Sequence, residues 1–219
     1  MPIEARTPEP RPMLVMILAD TSGSMSVDGK INVLNDAIQR MILSLQELSV
    51  PGCSYMLSAI TFGETANVHL GPTPIAQVVW NPLTANGRTP MGAAFNLARE
   101  MIGDTSVVPA RAHQPHLILV SDGIPTDDYK SPLTQLDSGE QARRAFRFAV
   151  GIGTDARLDV LKEFAGPLGE VVPAERVEVL TEFFRYVTLT VTKTAQNPMR
   201  SQAEIPTFID SRVDDEFPF

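Results

Sequence analysis

Residues 13–24 read MLVMILADTSGS, seven apolar residues in a row followed by Asp20-Thr21-Ser22-Gly23-Ser24. An apolar run without polar alternation, stopped by turn residues, predicts a strand buried on both faces. Such a strand needs helices above and below it, and the flanking sequence supplies them. Ile31, Leu34, Ile38, Met41, Ile42, Leu45 and Leu48 recur at helical spacing over 30–48, ahead of Pro51-Gly52. SYMLSAITF (54–62) predicts a second strand, and Gly63-Glu64 turns it back into a short antiparallel one over 66–70. A helix is expected over 91–102 and a buried strand over 116–121 (HLILVS). Residues 124–140 read as mostly loop with at most one short helix, and 147–153 as a strand. A helix over 156–165 ended by Gly166-Pro167, a brief strand near 170–173 and a helix over 179–193 complete the order.

This alternation predicts an α/β fold: a Rossmann-like three-layer sandwich, its central sheet mostly parallel with one antiparallel edge strand and helices on both faces. In such sheets ligands bind beyond the carboxyl ends of the strands, where strand order reverses. At 219 residues one core is sufficient without cross-links, and the single cysteine, Cys53, has no internal partner for a disulfide. It reads as a buried small residue. The net charge of −8 argues against nucleic-acid binding, which calls for basic stripes. No apolar run reaches the roughly 18–20 residues that span a bilayer. The start MPIEARTPEPRP lacks the basic and apolar regions of a signal peptide. A cytoplasmic protein without membrane contact is therefore expected. Residues 1–12, with Pro2, Pro8, Pro10 and Pro12, are expected to be a disordered lead-in to a domain over 13–195. Residues 196–219 form an acidic, aromatic tail, with Phe208, Phe217 and Phe219 among Glu204, Asp210, Asp214, Asp215 and Glu216. That composition suits disorder, a docking segment or tail-mediated self-association.

Two buried strands end in an acid, Asp20 and Asp122. If the strands are neighbours, the two carboxylates converge and repel unless a cation neutralises them. Ser22 and Ser24 add hydroxyls, with Gly23 letting the loop curl. Carboxylates and hydroxyls are hard donors that suit Mg²⁺, Mn²⁺ or Ca²⁺. Thr89 precedes Pro90 and the helix expected from Met91, which keeps it extended and outside the helix. Its hydroxyl is read as a helix cap, a metal ligand or both.

In this order, Asp20-Thr21-Ser22-Gly23-Ser24, Thr89 and Asp122-Gly123 resemble the metal-ion-dependent adhesion site of von Willebrand factor type A (VWA) domains. The similarity covers about 13–193 through the order of elements. It implies that Asp20, Ser22, Ser24, Thr89 and Asp122 hold Mg²⁺ (or Mn²⁺), and that an Asp or Glu of a protein partner completes the shell. It implies binding, not catalysis. Chain size and the stretches TFGETA (61–66) and TANGRTPMGAAF (84–95) are similar to TerY-like proteins of bacterial tellurite-resistance and stress systems. That resemblance implies a protein phosphatase and a kinase-like protein as partners.

Two other readings stand beside it. One is a VWA subunit working with an AAA+ ATPase. The other is a phosphohydrolase of the haloacid-dehalogenase type, which needs Asp-x-Asp where this chain has Ser22, and for which no histidine or lysine is expected near the metal loops as a base. Gly151-Ile152-Gly153-Thr154 lacks the third glycine and the lysine of a phosphate loop and reads as a strand end and turn. Asp127-Asp128 reads as a solvated acidic loop, and His69, His113 and His116 as surface or strand-end residues.

Overall fold

The computed structural model describes residues 9–154, 156–176, 178–199, 204 and 206–208. Its strands are β1 (Arg11–Asp20), β2 (Cys53–Phe62), β3 (Ala66–Pro74), β4 (His116–Ser121), β5 (Phe146–Ile152) and β6 (Glu170–Ala174). Its α-helices are α1 (Lys30–Glu47), α2 (Met91–Gly103), α3 (Lys130–Ser138), α4 (Glu140–Arg144), α5 (Leu158–Ala165) and α6 (Glu178–Gln196). The strands form one sheet in the order β3-β2-β1-β4-β5-β6, and only β3 runs antiparallel to its neighbour. The expected Rossmann-like α/β sandwich is therefore the fold.

The run at 13–19 is apolar on both faces because both faces are covered. Met13, Val15, Ile17 and Ala19 pack with α1 and α6, among them Leu34, Ile38, Phe183 and Val187. Leu14, Met16 and Leu18 point the other way and pack with Phe95, Ala98 and Phe164 of α2 and α5. Burying one such side chain contributes about 1.5–3 kcal/mol, so β1 is held by its core on both sides. The chain winds outward from β1 to β2 in one direction and from β4 through β5 to β6 in the other. The reversal falls between β1 and β4, whose register sets Ala19 beside Val120. Asp20 and Asp122 thus leave the sheet side by side.

Several expectations need correction. β1 begins at Arg11, and Pro12 lies inside it, its carbonyl accepting from the His113 N–H at 2.9 Å; the rest of the expected lead-in, residues 1–8, lies outside the described residues. The stretch 124–140 holds α3 and the start of α4, where at most one short helix was expected. These helices bury only Pro132, Leu133, Leu136 and Ala142, too few to show a helical period. Asp128 starts α3 by accepting from the N–H groups of Lys130 and Ser131. β3 runs on to Pro74, with shifted register against β2. His116 begins β4, as a strand-end residue, but neither it nor His113 lies at the surface: both are buried, and His116 stacks on Phe146 and bonds Thr194 Oγ1 at 3.1 Å. Cys53 is half-buried.

Most of the tail, including Phe217 and Phe219, lies outside the described residues. Phe208 is buried against Tyr186 of α6, whose hydroxyl donates to the Pro206 carbonyl at 3.1 Å. No helix among the described residues is long and apolar enough to cross a membrane.

Candidate metal centre

Asp20 is the last residue of β1 and fully buried. Its carboxylate accepts from the Ser22 N–H at 2.8 Å and from the Ser121 hydroxyl at 2.6 Å. Burial pushes the Asp20 carboxyl up to about 6; the bonds from Ser121 and Ser22 act against that rise, and the charge of Asp122 adds to it. A carboxylate in this position is short of positive charge.

The Ser24 hydroxyl donates to Asp122 Oδ1 at 2.7 Å and lies 3.0 Å from the Ser22 hydroxyl. With its one proton given to Asp122, Ser24 accepts from Ser22. Asp122 Oδ2 accepts from Lys30 Nζ at 2.6 Å, an ion pair in which the Asp122 side chain is 1% exposed and that of Lys30 16%. This corrects the expectation that no lysine lies near the metal loops. Asp20, Ser22, Thr89 and Asp122 are buried, while Ser24 is exposed at the mouth.

Three loops are tied together by main-chain bonds. The Thr21 N–H donates to the Phe62 carbonyl at 2.9 Å, Gly23 N–H to Gly87 O at 3.1 Å, Asn86 N–H to Thr21 O at 2.6 Å, and Arg88 N–H to Gly63 O at 3.1 Å. Gly87 has φ +87°, a left-handed conformation that favours glycine, and a Cβ there would fall 2.4 Å from Glu64 N. Asn35 of α1 anchors the run leading to these loops: its side chain accepts from the Leu83 N–H and the Trp80 indole and donates to the Leu83 carbonyl.

Thr89 does not cap α2. Pro90 holds the cap position without a side-chain bond, and Asp127 caps the helix instead, accepting from the Gly92 and Ala93 N–H groups at 2.9 Å each. Asp127 and Asp128 are therefore helix caps as well as an exposed acidic pair. The Thr89 main chain is held by Thr126, through Thr126 N–H to Thr89 O at 2.9 Å and Thr89 N–H to Thr126 Oγ1 at 3.3 Å. Its hydroxyl faces Gly123. A Cβ at Gly123 would meet Thr89 Oγ1 at 3.0 Å and Asp20 Oδ2 at 3.6 Å, so the missing side chain leaves a cradle between these oxygens. Among the described residues no three His, Cys, Asp or Glu side chains cluster as a metal site would require, so the candidate centre rests on two carboxylates and three hydroxyls. That donor set and the cradle fit a hard divalent cation.

The family model of the von Willebrand factor type A domain matches residues 15–124, half of the chain. The chain belongs to this family. Solved structures agree on the fold. A von Willebrand factor type A protein from Catenulispora acidiphila is 21% identical with a TM-score of 0.64, over 83% of this chain and 43% of that one. The ArnB paralog VWA2 from Sulfolobus acidocaldarius is 18% identical with a TM-score of 0.60, over 80% and 44%. Proximal thread matrix protein 1 from the mussel byssus, in a form with a zinc-occupied MIDAS motif, is 18% identical with a TM-score of 0.62, over 83% and 46%. This VWA chain thus spans less than half the length of each of these three proteins. No curated protein sequence matches it.

Sequence reasoning missed four parts of this VWA site: Lys30, Ser121, the capping role of Asp127 and the glycine contacts. Lys30 carried one signal, since a cation in the first turn of a helix opposes the macrodipole and calls for an anion nearby. Gly63 sat between a strand and its return, where only the partner loop explains why a side chain is absent.

Proposed function

We propose that this VWA domain is a non-enzymatic interaction module that grips a protein partner through a divalent cation, Mg²⁺ or Mn²⁺. Asp20, Ser22, Ser24, Thr89 and Asp122 are its ligands, and an Asp or Glu of the partner completes the shell. The convergence of oxygens from three loops where the strand order reverses, around the cradle at Gly123, carries this reading. The buried and cation-poor Asp20 supports it. The phosphohydrolase alternative has less support, because Ser22 holds the position of the second acid and the nearby amine of Lys30 is paired with Asp122.

The TFGETA and TANGRTPMGAAF stretches form the main-chain junction between the loops. Their similarity to TerY-like proteins supports a cytoplasmic role in a stress or phosphorylation-signalling complex, with a phosphatase and a kinase-like protein as partners. An affinity pull-down with wild type and Asp20→Ala, in Mg²⁺ and in EDTA, tests the reading. Partner recovery is expected only with wild type in Mg²⁺, and equal recovery in all four arms refutes it.

A further inference from the structure

Lys30 opens α1, where the positive end of the helix dipole disfavours a cation. It nevertheless points its ammonium 2.6 Å from Asp122 Oδ2. Gly153, in the turn after β5, lies next to it: a Cβ there would be in ordinary contact, 3.4 Å from Lys30 Nζ and 3.7 Å from Cε. Lys30 also borders an open pocket of about 410 Å³ together with Ser24, Asp122, Gly153, Asp28 and Glu175. The amine therefore sits between the candidate metal ligands and the space from which a partner side chain would arrive.

Charge decides what such an amine does. Asp20, Asp122 and a divalent ion sum to neutrality, and a neutral centre draws an incoming carboxylate weakly. Lys30 places one positive charge against the loaded centre, where an incoming carboxylate can pair with it. The same amine occupies a lone-pair direction of Asp122 and repels an approaching cation. We propose that Lys30 is a built-in cation that competes with the metal for Asp122 and sets the charge that makes the loaded site selective for an acidic side chain. On metal binding the amine turns from Asp122 into the pocket, where Asp28 and Glu175 are the carboxylates beside it and a partner's Asp or Glu becomes its third choice of acceptor. This inference rests on the metal reading given above and assigns Lys30 a role as a positioning and specificity-determining residue, not as a ligand.

The experiment is calorimetric titration of the full chain with Mn²⁺ alone, in wild type, Lys30→Met and Lys30→Arg, with thermal melts in EDTA and in Mn²⁺. Lys30→Met is expected to bind Mn²⁺ about tenfold more tightly than wild type. Its melting temperature should fall in EDTA, where buried Asp122 has lost its counterion, and rise on Mn²⁺ addition by more than that of wild type. Lys30→Arg, which keeps the charge, should stay within about threefold of wild type. Acetate titrated into each Mn²⁺-loaded protein should bind Lys30→Met several-fold more weakly than wild type. Unchanged or weaker Mn²⁺ binding by a folded Lys30→Met overturns the role of Lys30 and leaves the metal site standing. Failure of both wild type and Lys30→Met to bind Mn²⁺ overturns the metal reading and this inference together. Binding by Lys30→Met alone supports the competition directly.

Discussion

Gly63→Ala separates the loop junction from the metal ligands themselves. Gly63 carries no candidate ligand, yet a Cβ on it would lie 2.4 Å from the Asn86 carbonyl oxygen, 2.7 Å from Thr21 Oγ1 and 2.8 Å from Thr21 O. Two of these three atoms are main chain and cannot swing away. Relief requires the 84–90 run to move outward by roughly 1 Å and the Thr21 main chain by roughly 0.6 Å, since ordinary contacts begin near 3.4 Å. That movement strains the Asn86–Thr21 and Arg88–Gly63 bonds, at 2.6 and 3.1 Å. Overpacking costs about 1–3 kcal/mol and each main-chain bond about 0.5–1.5 kcal/mol, so a partial loss of both gives about 2–4 kcal/mol. The same shift drags Thr89, three residues beyond Asn86, and should weaken Mn²⁺ binding about tenfold. Urea unfolding in EDTA measures the first effect and Mn²⁺ calorimetry the second. Gly71→Ala is the control, because nothing lies within 4 Å of its would-be Cβ, and it should stay within about 0.5 kcal/mol of wild type. A Gly63→Ala protein as stable as Gly71→Ala, with unchanged Mn²⁺ affinity, would refute this role of the loop junction.

His116 and Asp127 give two further outcomes. Burial holds His116 down at about 3, against an unfolded value near 6.5. Between those values the unfolded chain binds the extra proton, so stability is intact above pH 6.5 and falls as pH drops, by about 1.4 kcal/mol per unit. Asp20 has the opposite sign, its folded value being raised to about 6, so the comparison belongs in an Asp20→Asn background. There, His116→Phe should flatten the decline in urea-unfolding stability between pH 6.5 and 4.5, and a decline as steep as in its parent counts against a neutral buried His116. Asp127→Ala removes the cap from α2 and should cost about 1–2 kcal/mol in urea unfolding. Because Thr89 precedes that helix, a several-fold loss of Mn²⁺ affinity should accompany it; unchanged stability would show that the cap is idle.

The sheet and its major helices were legible because periodicity reports burial directly. The unbroken run at 13–19 implied cover on both faces, and the helical spacing over 30–48 implied one buried stripe. Thr89 became a candidate ligand through Pro90, and Asp20 and Asp122 through the strands they end. The helices at 130–144 were illegible because a short helix under a loop buries too few side chains to reveal a period. The end of α6 was missed by three residues for a different reason. Thr188, Thr190 and Thr194 are polar by composition but buried, with Thr188 and Thr194 returning their hydroxyl protons to main-chain carbonyls of the preceding turn. His116 misled in the same way, since a single polar residue at a strand start gives no hint that Phe146 stacks on it. What joins the candidate metal loops is also hidden from a linear reading, because Gly63 packs against Asn86 and Thr21, and Gly87, besides its positive φ, against Glu64.

The two acids of the centre are handled differently, and the difference bears on how an ion would enter. Asp20 is deep and held by neutral donors, Ser121 and the Ser22 N–H, while Asp122 is paired with a full positive charge. Ser22, Ser24 and Asp122 form a closed series in which each hydroxyl proton points toward the next acceptor. A cation held by these residues would need their lone pairs, so both serine protons would have to turn away and Lys30 would have to part from Asp122. Hydroxyl rotation is inexpensive because a serine proton can find another acceptor, including water. Breaking a mostly buried ion pair is costly, with the larger share of the barrier in one side chain. The core itself is apolar on both faces of the sheet, unlike that of small modules whose folding is metal-driven. Under the proposal made for Lys30, that side chain is the point at which the site would be regulated, a full charge at the edge of the open pocket.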